Sequence, residues 1–124
     1  MNKILISKAF VVNEGEVCVM DILIKGKRIQ KIESHISEPN VKETINAEGL
    51  YLFPGMIDDQ VHFREPGLTH KASISSESKA AIAGGVTSYI EMPNTKPQTT
   101  TIIEYEKKRL IASKNSAANY SFMF

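Results

Sequence analysis

The sequence predicts an α/β chain in two parts. Residues 1–51 form a small, mostly antiparallel β-sheet, and residues 52–124 open a parallel sheet with β-α-β-α-β order. Three observations carry this prediction. Before Leu52, short β-rich runs alternate with turn formers. After Leu52, strand-like runs alternate with segments of helical period. That alternation implies parallel strands joined by right-handed crossovers.

The elements follow in order. Ile4-Leu5-Ile6, Phe10-Val11-Val12 and Val17 to Ile24 are rich in β formers, broken by Asn13-Glu14-Gly15-Glu16. Lys25-Gly26-Lys27 lies between Asp21–Ile24 and Arg28–Ile32 and reads as a hairpin turn. Glu38-Pro39-Asn40 is a loop, and Thr44 to Leu52 leads into the second part. Leu52 to His62 reads as a strand. Ser73 to Ala83 reads as a helix with Ile74, Ala81 and Ile82 on one face and Gly84-Gly85 as its stop. Val86 to Met92 is a second strand, with Pro93-Asn94-Thr95-Lys96-Pro97 as its exit loop. Thr101-Ile102-Ile103-Glu104 has capping-box spacing and opens a second helix. Ile103, Leu110 and Ile111 are assigned to that helix's apolar side. Ala118 to Phe124 reads as a third strand.

With 42% hydrophobic residues in 124, the chain can build a core. Fifteen basic against fourteen acidic residues leave a net charge of +1, which gives no sign of a nucleic-acid or anionic-membrane partner. The run Lys107-Lys108-Arg109 is expected to be a solvated helix face. The single cysteine, Cys18, excludes an internal disulfide and is expected to be a small buried hydrophobe, fitting a cytoplasmic, reducing compartment. Lys3 and Lys8 interrupt the first residues, so no signal-peptide core is present. Three parallel strands and two helices do not complete a common α/β fold, and an eight-unit barrel takes about 250 residues. The chain is therefore expected to be the opening portion of a longer protein.

Chemistry concentrates in Pro54-Gly-Met-Ile-Asp-Asp-Gln-Val-His-Phe-Arg-Glu-Pro-Gly67. Strand alternation puts Asp58, Gln60 and His62 on one face and Ile57 and Val61 on the other. Arg64 follows, and Glu65-Pro66-Gly67 ends the run as a turn. In parallel α/β folds the site lies at the carboxyl ends of strands, where His62, Arg64 and Asn94 fall. Imidazole suits zinc, guanidinium suits a carboxylate, and a carboxamide adds a donor. Simpler readings stand beside these. His62 could be an ordinary hydrogen-bonded residue, Arg64 could pair with Glu65, and Asn94 could only form a turn. His35 and His70 lie in loop-like surroundings and are not assigned as ligands.

The segment from Asp58 to Gly67 resembles the Asp-x-His-x-His strand of the amidohydrolase superfamily, and its continuation Phe63-Arg64-Glu65-Pro66-Gly67 is similar to dihydroorotases. Ala80-Ala81-Ile82-Ala83-Gly84-Gly85-Val86-Thr87 with Met92-Pro93-Asn94-Thr95 resembles the second unit of the same family. Hydantoinases and allantoinases share the histidine motif but generally lack the following Arg and the Met-Pro-Asn-Thr run. The resemblance implies an incomplete TIM-type (β/α)8 barrel preceded by the family's amino-terminal strands, part of a β-sandwich. It implies that His62 is a zinc ligand and that Arg64 and Asn94 hold a substrate carboxylate. One or two Zn2+ ions are implied, with dihydroorotate and N-carbamoyl-L-aspartate as small-molecule substrate and product in pyrimidine biosynthesis. Gln60 stands where the family carries its first histidine, and as a neutral carboxamide it is a weaker ligand. No general base is assigned within these residues; the family's catalytic aspartate and later histidines would lie downstream, so the chain alone is expected to be inactive. Two alternatives stay open: a catalytically silent structural partner, for instance of a carbamoyltransferase or in a homo-oligomer, and a related cyclic-amide hydrolase.

Overall fold

The computed structural model describes residues 2–124, which fall into two compact units divided between Pro54 and Gly55. In the first, β1 (Lys3–Asn13), β2 (Glu16–Lys25), β3 (Arg28–Glu33) and β4 (Glu43–Asn46) are ordered β3-β2-β1-β4, and β5 (Tyr51–Leu52) also pairs with β1. The β1–β2 turn has Glu14 at φ 51° and Gly15 at φ 83°, the doubly left-handed backbone that matches hairpin twist. The sheet is mostly antiparallel, as expected, with parallel pairing on one side of β1. The pairings β1–β2 and β2–β3 are antiparallel, but β4 and β5 run parallel to β1. The loop after β3 carries the chain to the far side of β1, where β4 runs parallel with it.

A register shift between Ile6 and Ala9 leaves Lys8 at φ 60°. Buried Asp21 anchors this bulge by accepting the Lys8 N–H at 2.8 Å and the Ile36 N–H at 2.9 Å. Ala9, Ile22, Leu23, Ile36 and Ala47 are buried. Cys18 is exposed rather than buried. It lies opposite Val11 near the β1–β2 turn, where neighbouring Val17 and Val19 are also exposed.

The second unit contains β6 (Met56–Val61), α1 (Ile74–Ala83), β7 (Val86–Glu91), α2 (Ile102–Asn115) and β8 (Asn119–Phe122). The strands are parallel in the order β6-β7-β8. The expected strand Leu52–His62 is two elements: Leu52 pairs with Val11 in the first sheet, and β6 begins at Met56. Phe53-Pro54-Gly55 separates them, and Pro54 has no N–H to donate to a ladder.

Phe63, Ile74, Tyr89, Ala112, Ala118 and Phe122 form the core of this unit. The rings of Phe63 and Tyr89 lie 4.6 Å apart between centroids. Burial pushes the Tyr89 phenol up to about 12, and its hydroxyl meets Ser116 Oγ at 3.0 Å. Ser73 caps α1 in a reciprocal box with Ser76, and Gly84 closes the helix. At α2, Thr101 Oγ1 accepts the Glu104 N–H, while the Glu104 carboxylate takes Lys107.

Both helices expose part of their expected apolar faces. In α1, Ile74 and Ser78 are buried and Ile82 is exposed. Ser78 Oγ accepts the Ala117 N–H, so a small hydroxyl occupies the inward position. In α2, Lys108 and Ala112 are buried with Tyr105 and Ile111 beside the core, whereas Ile103 and Leu110 are exposed. Lys108 therefore departs from the solvated-face expectation. Its four-residue spacing to Ala112 puts it on the inward stripe, and a carboxylate awaits it there.

Candidate active site

The carboxyl ends of β6 and β7 carry the candidate residues. Strict alternation along β6 fails. Asp58 lies opposite Tyr89 and Val61 opposite Glu91, with a register shift between them. Three steps on one strand thus match two on the other, which re-phases the pleat. Ile57 and Val61 consequently do not share a face, and Asp58 does not join Gln60 and His62 by simple alternation. Instead, Asp58 Oδ1 accepts the Gln60 N–H at 3.1 Å and stabilises the bulge. Val61 packs on the core, so its neighbours Gln60 and His62 point away from it and are exposed.

His62 and Asn94 meet directly, with Asn94 Nδ2 2.8 Å from His62 Nδ1. Asn94 Oδ1 is buried without a hydrogen-bond partner among the described residues. Arg64 Nη1 donates to the Asn94 carbonyl at 3.3 Å. The three residues picked out by strand position therefore form one cluster. Arg64 makes no ion pair among the described residues, and Glu65 is engaged elsewhere: its Oε2 accepts the Ile74 N–H at 2.7 Å, holding the start of α1. Gln60 is exposed on the same strand end as His62. Among the described residues, no three His, Cys, Asp or Glu side chains gather around a common metal position.

Two loops are tied together around this cluster. Met92 N–H donates to the Val61 carbonyl, and Lys96 N–H donates to the Pro66 carbonyl. Gly67 has φ 84°, and a Cβ there would meet the Lys96 carbonyl oxygen at 1.8 Å. Only glycine permits both that backbone and that approach.

Arg64 itself adopts φ 72°, a left-handed conformation that costs a non-glycine residue about 1–2 kcal/mol. Its N–H donates to Glu91 Oε1 at 2.9 Å. Glu91 and Lys108 are fully buried and paired at 2.8 Å, and Lys108 Nζ also donates to the Met92 carbonyl at 3.0 Å. Burial pushes the Glu91 carboxyl up and the Lys108 ammonium down, while their attraction opposes both shifts. Strand position singled out His62, Arg64 and Asn94 but passed over this pair. Glu91 shares strand parity with buried Tyr89, and Lys108 shares helical phase with Tyr105 and Ala112. Together those phases contain the signal.

Solved structures share this arrangement of strands and helices. L-hydantoinase (dihydropyrimidinase) from Arthrobacter aurescens superposes with TM-score 0.92 at 28% identity, covering 98% of this chain and 27% of that one. D-hydantoinase (dihydropyrimidinase) from Thermus sp. gives TM-score 0.83 at 30% identity, covering 98% and 27%. The dihydro-orotase-like family model matches residues 49–119. Dihydroorotase of Carboxydothermus hydrogenoformans is 44% identical over 113 residues, 90% of this chain and 25% of the relative. That of Aquifex aeolicus is 41% identical over 112 residues, covering 85% and 26%. The chain belongs to the dihydroorotase-like family. It spans about a quarter of the length of these curated relatives.

Proposed function

We propose that the chain supplies the carboxylate-binding corner and part of the metal site of a zinc-dependent dihydroorotase. In this reading it interconverts dihydroorotate and N-carbamoyl-L-aspartate in pyrimidine biosynthesis, in the cytoplasm, as the amino-terminal part of a longer chain with a (β/α)8 barrel. The unit that ends at Pro54 belongs to its small sheet domain, and the unit from Gly55 opens the hydrolase barrel. The observation that carries the proposal is the cluster of His62, Arg64 and Asn94. Arg64, free of a carboxylate partner among the described residues, suits a ring bearing one.

The donor set fits one edge of a zinc site. His62 offers an imidazole and Gln60 a weakly ligating carboxamide oxygen. The orphaned Asn94 Oδ1 supports the fit. Turning the carboxamide by half a revolution places Oδ1 against His62 Nδ1–H, which leaves the Nε2 lone pair for a metal. The same turn puts Nδ2 at the buried position, so in this reading Asn94 reaches a substrate carboxylate only where bound substrate opens that position. Zinc, when bound, supplies Lewis-acid polarisation of the ring carbonyl and acidifies water. Arg64 fixes the ring so that its amide faces that position. The general base and remaining ligands come from downstream residues, so the 124 residues alone do not turn over substrate.

Ring opening of dihydroorotate by the zinc-loaded full-length protein tests this. Turnover that depends on zinc is expected, and no turnover by folded, zinc-loaded protein rejects it. Gln60 favours a second reading, a silent homologue serving as a structural partner. Absence of the late histidines and strand-end aspartate from the longer chain would favour that reading. A hydantoinase-type specificity would show as preference for neutral rings in a substrate panel.

A further inference from the structure

We infer that Glu91 and Lys108 form a buried strut that positions Arg64 for carboxylate recognition. This rests on the proposed role of Arg64, and it extends the substrate site to two side chains that never touch substrate. The strut is a continuous chain of contacts. Glu91 Oε1 accepts the Arg64 N–H at 2.9 Å, and Glu91 Oε2 pairs with Lys108 Nζ at 2.8 Å. Lys108 Nζ donates to the Met92 carbonyl at 3.0 Å, at the start of the loop that carries Asn94. It also lies 4.9 Å from the centre of the Phe122 ring. One ion pair thereby ties the exits of β6 and β7 to α2.

The backbone shows why Arg64 needs such an anchor. At φ 72° it occupies a region that residues with a Cβ rarely hold without support. The carboxylate supplies a charge-assisted acceptor for the N–H of that residue. With the backbone held, the guanidinium reaches the Asn94 carbonyl. Without it, relaxation toward the right-handed region would redirect the Cα–Cβ bond and swing the guanidinium away from Asn94. Lys108 opposes the burial that pushes the Glu91 carboxyl up, and so favours the charged form of the acceptor that faces the Arg64 N–H. Neither partner has solvent access, so the pair does not serve as a surface bridge.

The test uses the full-length protein and dihydroorotate. Glu91→Leu/Lys108→Met removes the acceptor while retaining apolar bulk, a replacement that buried ion pairs often tolerate. It should raise KM at least about tenfold with a smaller change in kcat. Glu91→Gln/Lys108→Met restores a neutral acceptor and should recover most of that loss. In an Arg64→Ala background the Leu/Met change should add less than about twofold, because sites acting through one group are not additive. Equal KM penalties with and without Arg64 would overturn the inference, and so would failure of Gln to rescue. If Arg64→Ala itself leaves KM unchanged, the substrate role of Arg64 fails; if Arg64→Ala raises KM but the strut variant does not, only the strut fails. Hydrogen exchange on the unmutated protein adds a check independent of variant folding. The Arg64 amide should be protected at least about a hundredfold, and free exchange would refute its bond to Glu91.

Discussion

Asn94 Nδ2 lies 2.8 Å from His62 Nδ1, across 32 residues of sequence, with the amide's oxygen buried and unpartnered. If this amide orients the histidine and also holds the substrate, the two jobs can be separated. Asn94→Asp keeps an acceptor for His62 Nδ1–H but sets a negative charge against the substrate carboxylate. Zinc content should be retained while dihydroorotate affinity falls by about 100-fold, as for a like charge at close range. Metal analysis with calorimetric titration checks both, and loss of zinc with affinity intact would reverse the assignment.

Arg64→Ala removes the cation without touching a metal donor. A hydrogen bond to a charged group contributes about 1.5–3 kcal/mol, so KM for dihydroorotate should rise roughly 10- to 100-fold with zinc content unchanged. Steady-state kinetics beside atomic absorption gives the answer. Loss of zinc would mean that Arg64 serves the metal site instead.

Gln60→His replaces a neutral amide oxygen with an imidazole on the same strand end. Zinc should bind at least about tenfold tighter in a chelator competition. Unchanged affinity would show that position 60 does not face the ion.

Gly67→Ala forces a Cβ against the Lys96 carbonyl oxygen at a backbone φ of 84°. Strain of this kind costs on the order of 1–3 kcal/mol before the clash is counted. Thermal unfolding should show a clearly lower Tm, and an unchanged Tm would mean that the two loops separate freely.

Asp21 gives the pH dependence. Desolvation pushes its carboxyl up, but N–H donors from Ile36 and Lys8, with His35 nearby, hold it below its ordinary 3.8 overall. A depressed folded value means stability that is present above 3.8 and lost as pH falls through the lower value. Asp21→Asn should therefore be less stable than the unmutated protein at pH 7, and the gap should narrow as pH is taken below 3.8. Denaturant unfolding across that range measures it; a gap independent of pH would contradict the assignment.

The element order was legible in the sequence because turn formers and apolar periods mark it locally. Asn13-Glu14-Gly15 and Lys25-Gly26-Lys27 do turn, Ser73 does cap α1, and Gly84 does end it. What was hidden depends on pairing across distance. The bulge between Asp58 and Val61 exists only relative to β7, so alternation along one strand could not disclose it. Lys108 sits in a basic run that reads as solvated until Glu91 is seen opposite it. Exposed Ile103 and Leu110 were assigned inward from their apolar character, yet the inward stripe carries Tyr105, Lys108 and Ala112. Within the site, residue type and strand position identified the three side chains that meet, whereas the anchor behind Arg64 required the fold.

The central claim is that His62, Arg64 and Asn94 grip a zinc-activated cyclic acid. A crystal structure of the full-length protein with zinc and dihydroorotate tests it most directly. His62 Nε2 should lie about 2.0–2.1 Å from the ion, with Arg64 and Asn94 on the ring carboxylate. An ion bound without His62, with Arg64 turned to solvent, would contradict it.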